Sequence, residues 1–368
     1  MPACILDNCR RSADCQKGKF NMIRRIRYGV IGSGGIAKRR TIPEGLAQAN
    51  NAELVSVYDI NPVANLEVAQ QFKAHAVESI EKLLKTDIDA VYIASPVKTH
   101  FEHVMICAEA GKHILCEKPL GMTVAEAEEM IAACEKANVL LGTAFMMRFH
   151  ACHQAALKMI RENKLGRLVY GRAQLSCWYP PIRGAWRQDP ATGGGGSLMD
   201  MGGHCIDLLE MFFGKVKSVS CYINNLVHKY KSEDSAVVTL MFENGALATV
   251  DNYFCIPDSS SKNILELYGS KGSVLAKGTI GQGDSGEMIA YLQKEAGGYQ
   301  ARQSRESTEG MVVSPSPVNT YKAEIEEFSQ ALIENRKPSV DGTIGLQNQR
   351  VIAACYESAK TGATVLVK

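Results

Sequence analysis

No run of apolar residues in this sequence approaches the roughly 18 residues that a membrane-spanning helix requires. Neither charge sign dominates, because 41 basic and 39 acidic residues leave a net charge of +2. We therefore expect neither nucleic acid nor a membrane surface as a partner. The 12 cysteines form no C-x-x-C pair and no histidine-containing cluster at ligand spacing, so neither a disulfide scaffold nor a metal site is indicated. This composition is typical of an enzyme from the reducing cytoplasm.

The start of the chain differs from the remainder. Cys4, Cys9 and Cys15 lie there among basic residues, and the apolar segment of a signal peptide is absent. We interpret residues 1–24 as a disordered leader or as a misassigned start, with Met22 as the natural first residue. A metal-binding or redox role of the three cysteines is the alternative.

Residues from Arg27 to Phe145 contain short apolar segments, typical of strands, that alternate with stretches of helical periodicity. Such alternation predicts βαβ units and hence a parallel sheet with right-handed crossovers. We predict an α/β fold that begins with a doubly wound Rossmann domain at residues 25–146. The first helix of this domain, at Ile36–Ala49, is expected to be interrupted near Pro43.

Beyond the helix predicted at His150–Asn163 the pattern changes, because successive strand patterns follow without intervening helices. Glu243-Asn244-Gly245 is a hairpin signal between two of these strands. We predict a second, α+β domain at residues 147–368, with an open and mostly antiparallel sheet. Its expected roles are substrate binding and oligomerisation.

The segment Ile31–Ala37 carries a G-x-G-x-x-A pattern between a predicted strand and a predicted helix. Gly32 allows the tight turn, Gly34 lets the backbone approach a pyrophosphate, and Ala37 lets the helix pack closely on the sheet. The N–H groups at the start of this helix would then face the phosphates. The pattern predicts a dinucleotide-binding site.

Asp59 follows the next predicted strand, where an acidic side chain can accept hydrogen bonds from both hydroxyls of the adenosine ribose. A carboxylate in that position would repel the 2′-phosphate of NADP. No arginine or serine follows it immediately, so NAD is the predicted cofactor. The alternative is that Asp59 caps the helix that begins near Pro62.

The segment Ser95–His100 follows another predicted strand, at the edge where ligands of open α/β sheets bind. It contacts the cofactor in one interpretation and forms only a loop with a helix cap in the other. The residues assigned to cofactor binding are Gly32, Gly34, Gly35, Ile36, Asp59, Ser95, Pro96, His100, Glu117 and Lys118.

Three further residues have the chemistry that oxidation of an alcohol requires. Lys118 follows a predicted strand and can donate a hydrogen bond to the substrate oxygen as negative charge develops there. Asp200 and His204 are four residues apart, so they share a face if the segment is helical. The histidine can accept the hydroxyl proton near neutral pH, and the aspartate can orient the imidazole. We assign all three as catalytic residues.

Each of these residues also has a purely structural explanation. Lys118 could extend over the sheet edge as a surface side chain, and His204 could pack within a helix against a structural partner. Asp200 could cap the helix that follows it. Asp207 could support the histidine or serve as a structural acid.

Both tryptophans of the chain, Trp178 and Trp186, precede the glycine run Gly193–Gly196. Aromatic faces beside Arg187 suit a sugar ring. A role in packing or in subunit contact is the alternative.

The glycine-rich segment, Glu117-Lys118-Pro119 and the D-x-G-x-H-x-x-D pattern at Asp200–Asp207 together resemble the Gfo/Idh/MocA oxidoreductase family. The resemblance runs from about Arg27 to the end of the chain. It implies that the three catalytic candidates face the nicotinamide of NAD. It also implies a homodimer or homotetramer that pairs through the open sheet face.

One departure concerns the segment after the last strand of the first domain, where inositol dehydrogenases of this family often carry Asn-Arg-Arg-Phe. This chain has Met146-Met147-Arg148-Phe149 and lacks the asparagine, which leaves the identity of the polyol open. The residues assigned to substrate binding are Lys118, Arg148, Trp178, Trp186, Asp200 and His204.

The resemblance implies NAD-dependent oxidation of a secondary alcohol in a sugar, glycoside or cyclitol, or the reverse reduction, by hydride transfer. Two alternatives stay open from the sequence. One is an NAD-retaining glycoside-processing enzyme that works through a transient keto sugar, and the other is a non-catalytic NAD-bound regulator that senses sugars. The presence of all three catalytic candidates favours an enzyme over the regulator.

Overall fold

The computed structural model describes residues 24–293, residue 301 and residues 309–368. Residues 1–23 of the predicted leader, with its three cysteines, therefore lie outside the described residues. The described parts of the chain form two sheets, each covered by helices.

The first sheet is parallel throughout. Its strands are β1 (Ile26–Ile31), β2 (Ala52–Tyr58), β3 (His75–Ala76), β4 (Ala90–Ile93), β5 (His113–Glu117) and β6 (Leu141–Ala144). Their spatial order is β3-β2-β1-β4-β5-β6, with every neighbouring pair parallel. This order is that of a doubly wound dinucleotide-binding fold, so the predicted Rossmann architecture is confirmed.

Helices connect these strands and continue through the rest of the chain. The α-helices are α1 (Pro62–Phe72), α2 (Ile80–Leu84), α3 (His100–Glu109), α4 (Val124–Lys136), α5 (Ala151–Arg161), α6 (Pro190–Gly193), α7 (Gly203–Phe213), α8 (Thr320–Ile333) and α9 (Gly342–Thr361). Two further segments, Ala37–Leu46 and Leu198–Gly202, are π-type helices. Single turns of 3₁₀-helix lie at Val97–Thr99, Met146–Phe149 and Trp186–Gln188.

Two features of the first domain differ from the sequence-based expectation. The helix expected to break near Pro43 is continuous from Ala37 to Leu46. A π-type turn is wider than an α-turn, which relieves the clash between a proline ring and the preceding turn. Strand β3 and helix α2 are not predicted because elements of two and five residues are too short for a periodic pattern.

The second sheet covers the other half of the chain. Its strands are β7 (Leu168–Ser176), β8 (Val216–Asn224), β9 (Ser235–Phe242), β10 (Leu247–Tyr253), β11 (Ile264–Gly269), β12 (Gly272–Lys277), β13 (Glu287–Leu292), β14 (Met311–Val312) and β15 (Val365–Leu366). Their order is β14-β13-β12-β11-β7-β10-β9-β8-β15. The pairs are antiparallel except β7 with β10, so the predicted mostly antiparallel sheet is confirmed. Strands β12 and β13, which flank a glycine-rich segment, are not predicted.

Alternation of side chains along β9 determines which face of this sheet is covered. Val238, Leu240 and Phe242 are buried in one core cluster with residues of α7 and α9, whereas Val237 and Met241 point away and are exposed. Polar and apolar residues alternate in this way when one face packs and the other stays open.

Helix α8 links the two halves of the molecule. Its Phe328 is buried in the same cluster as Tyr28 of β1, and the Tyr28 hydroxyl lies 2.8 Å from Oγ of Ser329. The late part of the chain therefore returns to pack on the first sheet. The carboxyl ends of the first-sheet strands consequently lie against residues from the ends of β7 and β10, and a cleft forms there.

Within the ranges that the structure describes, no helix combines the length and the hydropathy that crossing a membrane would need. The same residues include no group of three or more His, Cys, Asp or Glu side chains arranged to hold a metal ion.

Acid should destabilise this fold through two enclosed histidines. Burial lowers the pKa of His100 to about 4 and that of His153 to about 3. The unfolded chain binds protons near pH 6.5 that the folded chain does not, so stability should fall as pH drops from about 6.5 toward 4. The expected slope approaches 1.4 kcal/mol per pH unit for each histidine.

Urea unfolding at pH 7, 6 and 5 measures this loss. The variant His153→Gln should flatten the dependence on pH, whereas the same change at the exposed His75 should leave it as in the wild type. An unfolding free energy that stays constant between pH 7 and pH 5 would contradict the expectation.

Candidate active site

A cleft of about 930 Å³ runs along the carboxyl ends of the first-sheet strands. Residues at the ends of β1, β2, β5 and β6 line one side, and residues from β7 and from the segment after β10 line the other. Ligands of open α/β sheets bind in this position, where the strand order reverses between β1 and β4.

The glycine-rich turn forms one end of the cleft. Gly32 has φ = 84°, and a Cβ there would lie 2.5 Å from the backbone nitrogen of Ser95. Only glycine therefore suits this turn. Around Gly35 a Cβ would meet nothing within 4 Å, so the backbone is open to a ligand at this point. Gly32, Gly34, Gly35 and Ile36 all line the cleft, and the geometry suits a pyrophosphate at the start of the Ala37–Leu46 helix.

Asp59 lies beside this turn and lines the cleft. Its Oδ2 accepts a hydrogen bond from the Gly34 N–H at 2.7 Å, and its Oδ1 accepts one from the Asn61 N–H at 2.8 Å. The residue that caps α1 is Asn61, whose side chain accepts from two N–H groups of the first turn. The capping alternative for Asp59 is thus not what the structure contains, and the carboxylate is held at the glycine turn.

The segment after β4 also reaches the cleft. Ser95, Pro96 and His100 line it, together with His103, which the sequence reasoning did not single out. Oγ of Ser95 lies 2.9 Å from Nδ1 of His103. His100 is buried, with its ring nitrogens 2.8 Å from the carbonyl oxygen of Ser95 and 3.0 Å from that of Pro119. His100 thus joins this segment to the end of β5.

Lys118 and Asp200 meet across the cleft. The ammonium of Lys118 donates to the main-chain oxygen and to Oδ1 of Asp200, both at 2.8 Å. Nε of Arg187 lies 3.1 Å from Oδ2 of the same carboxylate. Burial raises the pKa of Asp200, but the charges of Arg187 and Lys118 outweigh it and hold the pKa well below its usual value. Asp200 is therefore an ion paired with two cations, and it does not cap α7.

His204 lines the cleft beside this group, one helical turn after Asp200. Its Nδ1 is enclosed and has no hydrogen-bond partner among the described residues, so the expected contact with Asp200 is not formed. Nε2 is then the ring nitrogen open to the cleft. Burial and the positive charge of Lys118 lower the pKa of His204 well below its usual value. The imidazole is therefore neutral at neutral pH.

Glu117 lines the cleft next to Lys118, and the Tyr92 hydroxyl donates to its Oε1 at 2.7 Å. Burial raises the pKa of Glu117, and the hydrogen bond from Tyr92 opposes that rise. Glu324 of α8 also lines the cleft, but its carboxyl oxygens are enclosed without partners in the described structure. Burial raises the pKa of Glu324 well above its usual value, which favours the protonated form of this side chain.

Two residues assigned to substrate binding lie elsewhere. Arg148 is not among the residues that line the cleft, because its guanidinium forms an ion pair with the buried Asp207. Nε of Arg148 lies 2.9 Å from both carboxylate oxygens, so Asp207 supports this arginine rather than His204. Trp178 packs edge-on against His228 and is 42% exposed outside the cleft.

Trp186 does line the cleft, in the segment that carries Arg187. Other residues of the lining were not assigned to the site from the sequence, because only the fold brings them together. They include Arg39, Tyr179, Asp258, Asn263, Gln282, Tyr321 and Glu324. Gln282 lies in the glycine-rich segment between β12 and β13.

Known proteins similar to this chain are oxidoreductases. A 1,5-anhydro-D-fructose reductase of Ensifer adhaerens is 28% identical over 341 residues, which cover 91% of this chain and 97% of that protein. A D-glucoside 3-dehydrogenase of Escherichia coli is 26% identical over 364 residues, which cover 92% and 97%. The crystal structure of an aldose–aldose oxidoreductase from Caulobacter crescentus, complexed with glycerol, has a TM-score of 0.83 and 26% identity, covering 93% of this chain and all of that one.

Two family models match most of the sequence. Residues 26–145 match the NAD-binding Rossmann fold of an oxidoreductase family, and residues 157–367 match the C-terminal alpha/beta domain of the same family. These matches include the glycine turn, Lys118, Asp200 and His204. The chain therefore belongs to the Gfo/Idh/MocA family of oxidoreductases, with an NAD-binding Rossmann domain.

Proposed function

We propose that this protein is an NAD-dependent dehydrogenase that acts on a secondary alcohol of a sugar, glycoside or cyclitol, or catalyses the reverse reduction. The observation that supports it most strongly is the convergence of Lys118, Asp200 and His204 on the same cleft as the glycine turn. Relatives that act on sugar-type substrates support the substrate class. NAD, when bound, supplies the hydride acceptor.

In this proposal Lys118 binds the oxygen of the reacting carbinol. The Lys118 side chain is 9% exposed, and its ammonium is fixed by two acceptors on Asp200, which leaves one N–H for the substrate. A donor held in place stabilises the negative charge that develops on that oxygen as the carbon loses its hydride. Asp200 thus positions Lys118.

His204 accepts the hydroxyl proton at Nε2. A base must be unprotonated before it acts, and burial keeps this imidazole neutral at neutral pH. The proton then leaves the substrate oxygen as the hydride leaves carbon. Because the pKa of His204 lies well below the usual value, alcohol oxidation should be near its plateau at pH 7 and fall only in acid.

A screen of polyols, aldoses and glycosides with NAD, followed by absorbance of the reduced cofactor, tests the proposed function. Oxidation of at least one of them by the wild-type protein is the expected result. Cleavage of a glycoside without net NADH would instead indicate the NAD-retaining glycoside-processing enzyme. Binding of NAD and sugar without any reaction would indicate the regulator.

Cofactor choice should depend on Asp59. The carboxylate is expected to accept hydrogen bonds from the adenosine ribose and to repel a 2′-phosphate. NAD should therefore bind at least about tenfold more tightly than NADP, which corresponds to roughly 1.5–3 kcal/mol for charge-assisted contacts. Calorimetric titration with both cofactors measures the ratio, and Asp59→Ser should narrow it. Equal affinities in the wild type would refute this assignment.

Neutral sugars should bind better than uronic acids. On the substrate side of the cleft Lys118 and Arg187 are both paired with Asp200, and Asp258 adds a second carboxylate, so these four groups have no net charge that would attract a uronate. We expect KM for a glucoside to be several-fold lower than for the matching glucuronide, a difference of about 1 kcal/mol. Initial rates with such a matched pair measure it, and a preference for the glucuronide would contradict it.

We propose domains at residues 25–146 and 147–368, and a homodimer or homotetramer that pairs through the open face of the second sheet. Exposed Tyr222, Val237, Met241 and Leu247 on or beside its strands support such pairing. We propose a cytoplasmic location, supported by the free cysteines among the described residues.

A further inference from the structure

Arg187, which the sequence places only beside the two tryptophans, lines the cleft and contacts Asp200. Its Nε lies 3.1 Å from Oδ2 of Asp200, on the opposite carboxylate oxygen from the one that accepts from Lys118. The arginine side chain is 30% exposed, and the aspartate side chain is 21% exposed. Each oxygen of this carboxylate therefore faces its own cation.

The turn that carries Arg187 is rigidly held. Gln188 is buried, donates from Nε2 to the Pro180 carbonyl at 2.7 Å and accepts at Oε1 from the Ile182 N–H at 3.0 Å. The guanidinium lies over the Trp186 ring, 4.1 Å from its centroid. The hydrogen bonds of Gln188 thus hold the backbone of the turn, and the cation–π contact holds the arginine side chain.

Gly193 packs closely against the turn that carries Arg187. A Cβ on Gly193 would lie 2.7 Å from the carbonyl oxygen of Trp186 and 3.0 Å from Cα of Arg187. Such distances are too short for any larger residue, so the glycine run lets the two segments approach closely. Gly193 therefore permits its backbone to lie directly against Trp186 and Arg187.

This arrangement affects His204. Both oxygens of Asp200 face cations, and Asp200 makes no hydrogen bond to the imidazole, whose Nδ1 is enclosed without a partner among the residues that the structure describes. The charged groups that act on His204 are Lys118 at the end of β5, Asp200 on its own segment and Arg187. Phe145, which is uncharged, packs edge-on to the ring with centroids 6.1 Å apart.

We propose that Arg187 is a positioning residue that holds the Asp200 carboxylate away from His204, so that the histidine stays an unpaired and uncharged base in the substrate-binding cleft. Without Arg187, Oδ2 of Asp200 would be released and could pair with a protonated imidazole. One positive charge would also be removed from the neighbourhood of the ring. Both effects favour protonation of His204. The effect on catalysis rests on the proposed dehydrogenase function, whereas the protonation of His204 can be measured without it.

The test is direct titration of His204 in the protein without cofactor or substrate. The chain is labelled with ¹³C-histidine, and the His204 signal is assigned by its loss in His204→Asn. In Arg187→Gln the protonation midpoint should rise by about one to two pH units over the wild type. In Arg187→Lys, which keeps the charge, it should move by less than about half a unit.

Arg183→Gln is the matched control, because Arg183 lies exposed in the same loop and outside the cleft lining. An unchanged His204 midpoint in Arg187→Gln, or an equal shift in Arg183→Gln, would overturn the proposal. If the wild type oxidises an alcohol, the acid limb of its pH–rate profile should shift in parallel. A protein that neither oxidises an alcohol nor reduces the matching ketone, but shows the NMR shift, would refute the proposed function and support this inference.

Discussion

Replacing Lys118 by alanine is expected to lower kcat by about 10²-fold or more, as loss of a preorganised donor to a developing oxyanion typically does. Lys118 lines the cleft where the substrate oxygen is proposed to bind, so its loss is expected to act on the transition state. Steady-state kinetics with the best substrate of the screen measure the loss. NAD affinity and melting temperature should change little.

Lys136→Ala is the matched control, because Lys136 is an exposed lysine in the last turn of α4. It should retain wild-type kinetics. Full activity in Lys118→Ala, with any substrate that the wild type turns over, would refute the catalytic assignment. The regulator would then be the better explanation, since the cleft would bind sugar and nucleotide without reaction.

Replacing His204 by asparagine is expected to lower kcat for oxidation by about 10²- to 10⁴-fold, the usual contribution of a positioned general base. Asparagine fills much of the same space but cannot accept a proton at these pH values. Because the active imidazole is unprotonated, wild-type activity should be present at neutral pH and lost as pH falls through its depressed pKa. The variant should lack this acid limb.

The exposed His75 offers a matched control, and His75→Asn should retain both the rate and its dependence on pH. A wild-type rate that rises steeply between pH 7 and pH 9 would contradict the proposal that His204, with its lowered pKa, is the general base. The double variant of Lys118 and His204 should lose less than the product of the single losses, because both residues act on one transition state.

Sequence reasoning located the parts of the site that are contiguous in the chain. The turn at Gly32, the acid after β2 and the lysine at the end of β5 each follow a strand, and parallel strands bring their carboxyl ends to one edge. Asp200 and His204 are joined by a helical turn. These residues do line one cleft, while their catalytic roles stay predictions.

The partners within the site could not be found in this way. Lys118 and Asp200 are 82 residues apart, and Arg148 and Asp207 are 59 apart. From the sequence, Asp200 was expected to orient His204 and Arg148 to contact the substrate. In the fold Asp200 instead pairs with Lys118 and Arg187, and Asp207 pairs with Arg148. No short sequence motif links these partners.

By itself, then, the sequence determined the alternation of strands and helices in the first domain, the nucleotide-binding turn and the chemical types at the cleft, because these depend on periodicity and on residues adjacent in the chain. Only the tertiary structure decided that Trp186 enters the cleft while Trp178 does not, and that Arg187 pairs with Asp200. The physical reason is that a side chain's partner depends on which distant backbone packs against it. For Arg187 that packing requires the close approach at Gly193.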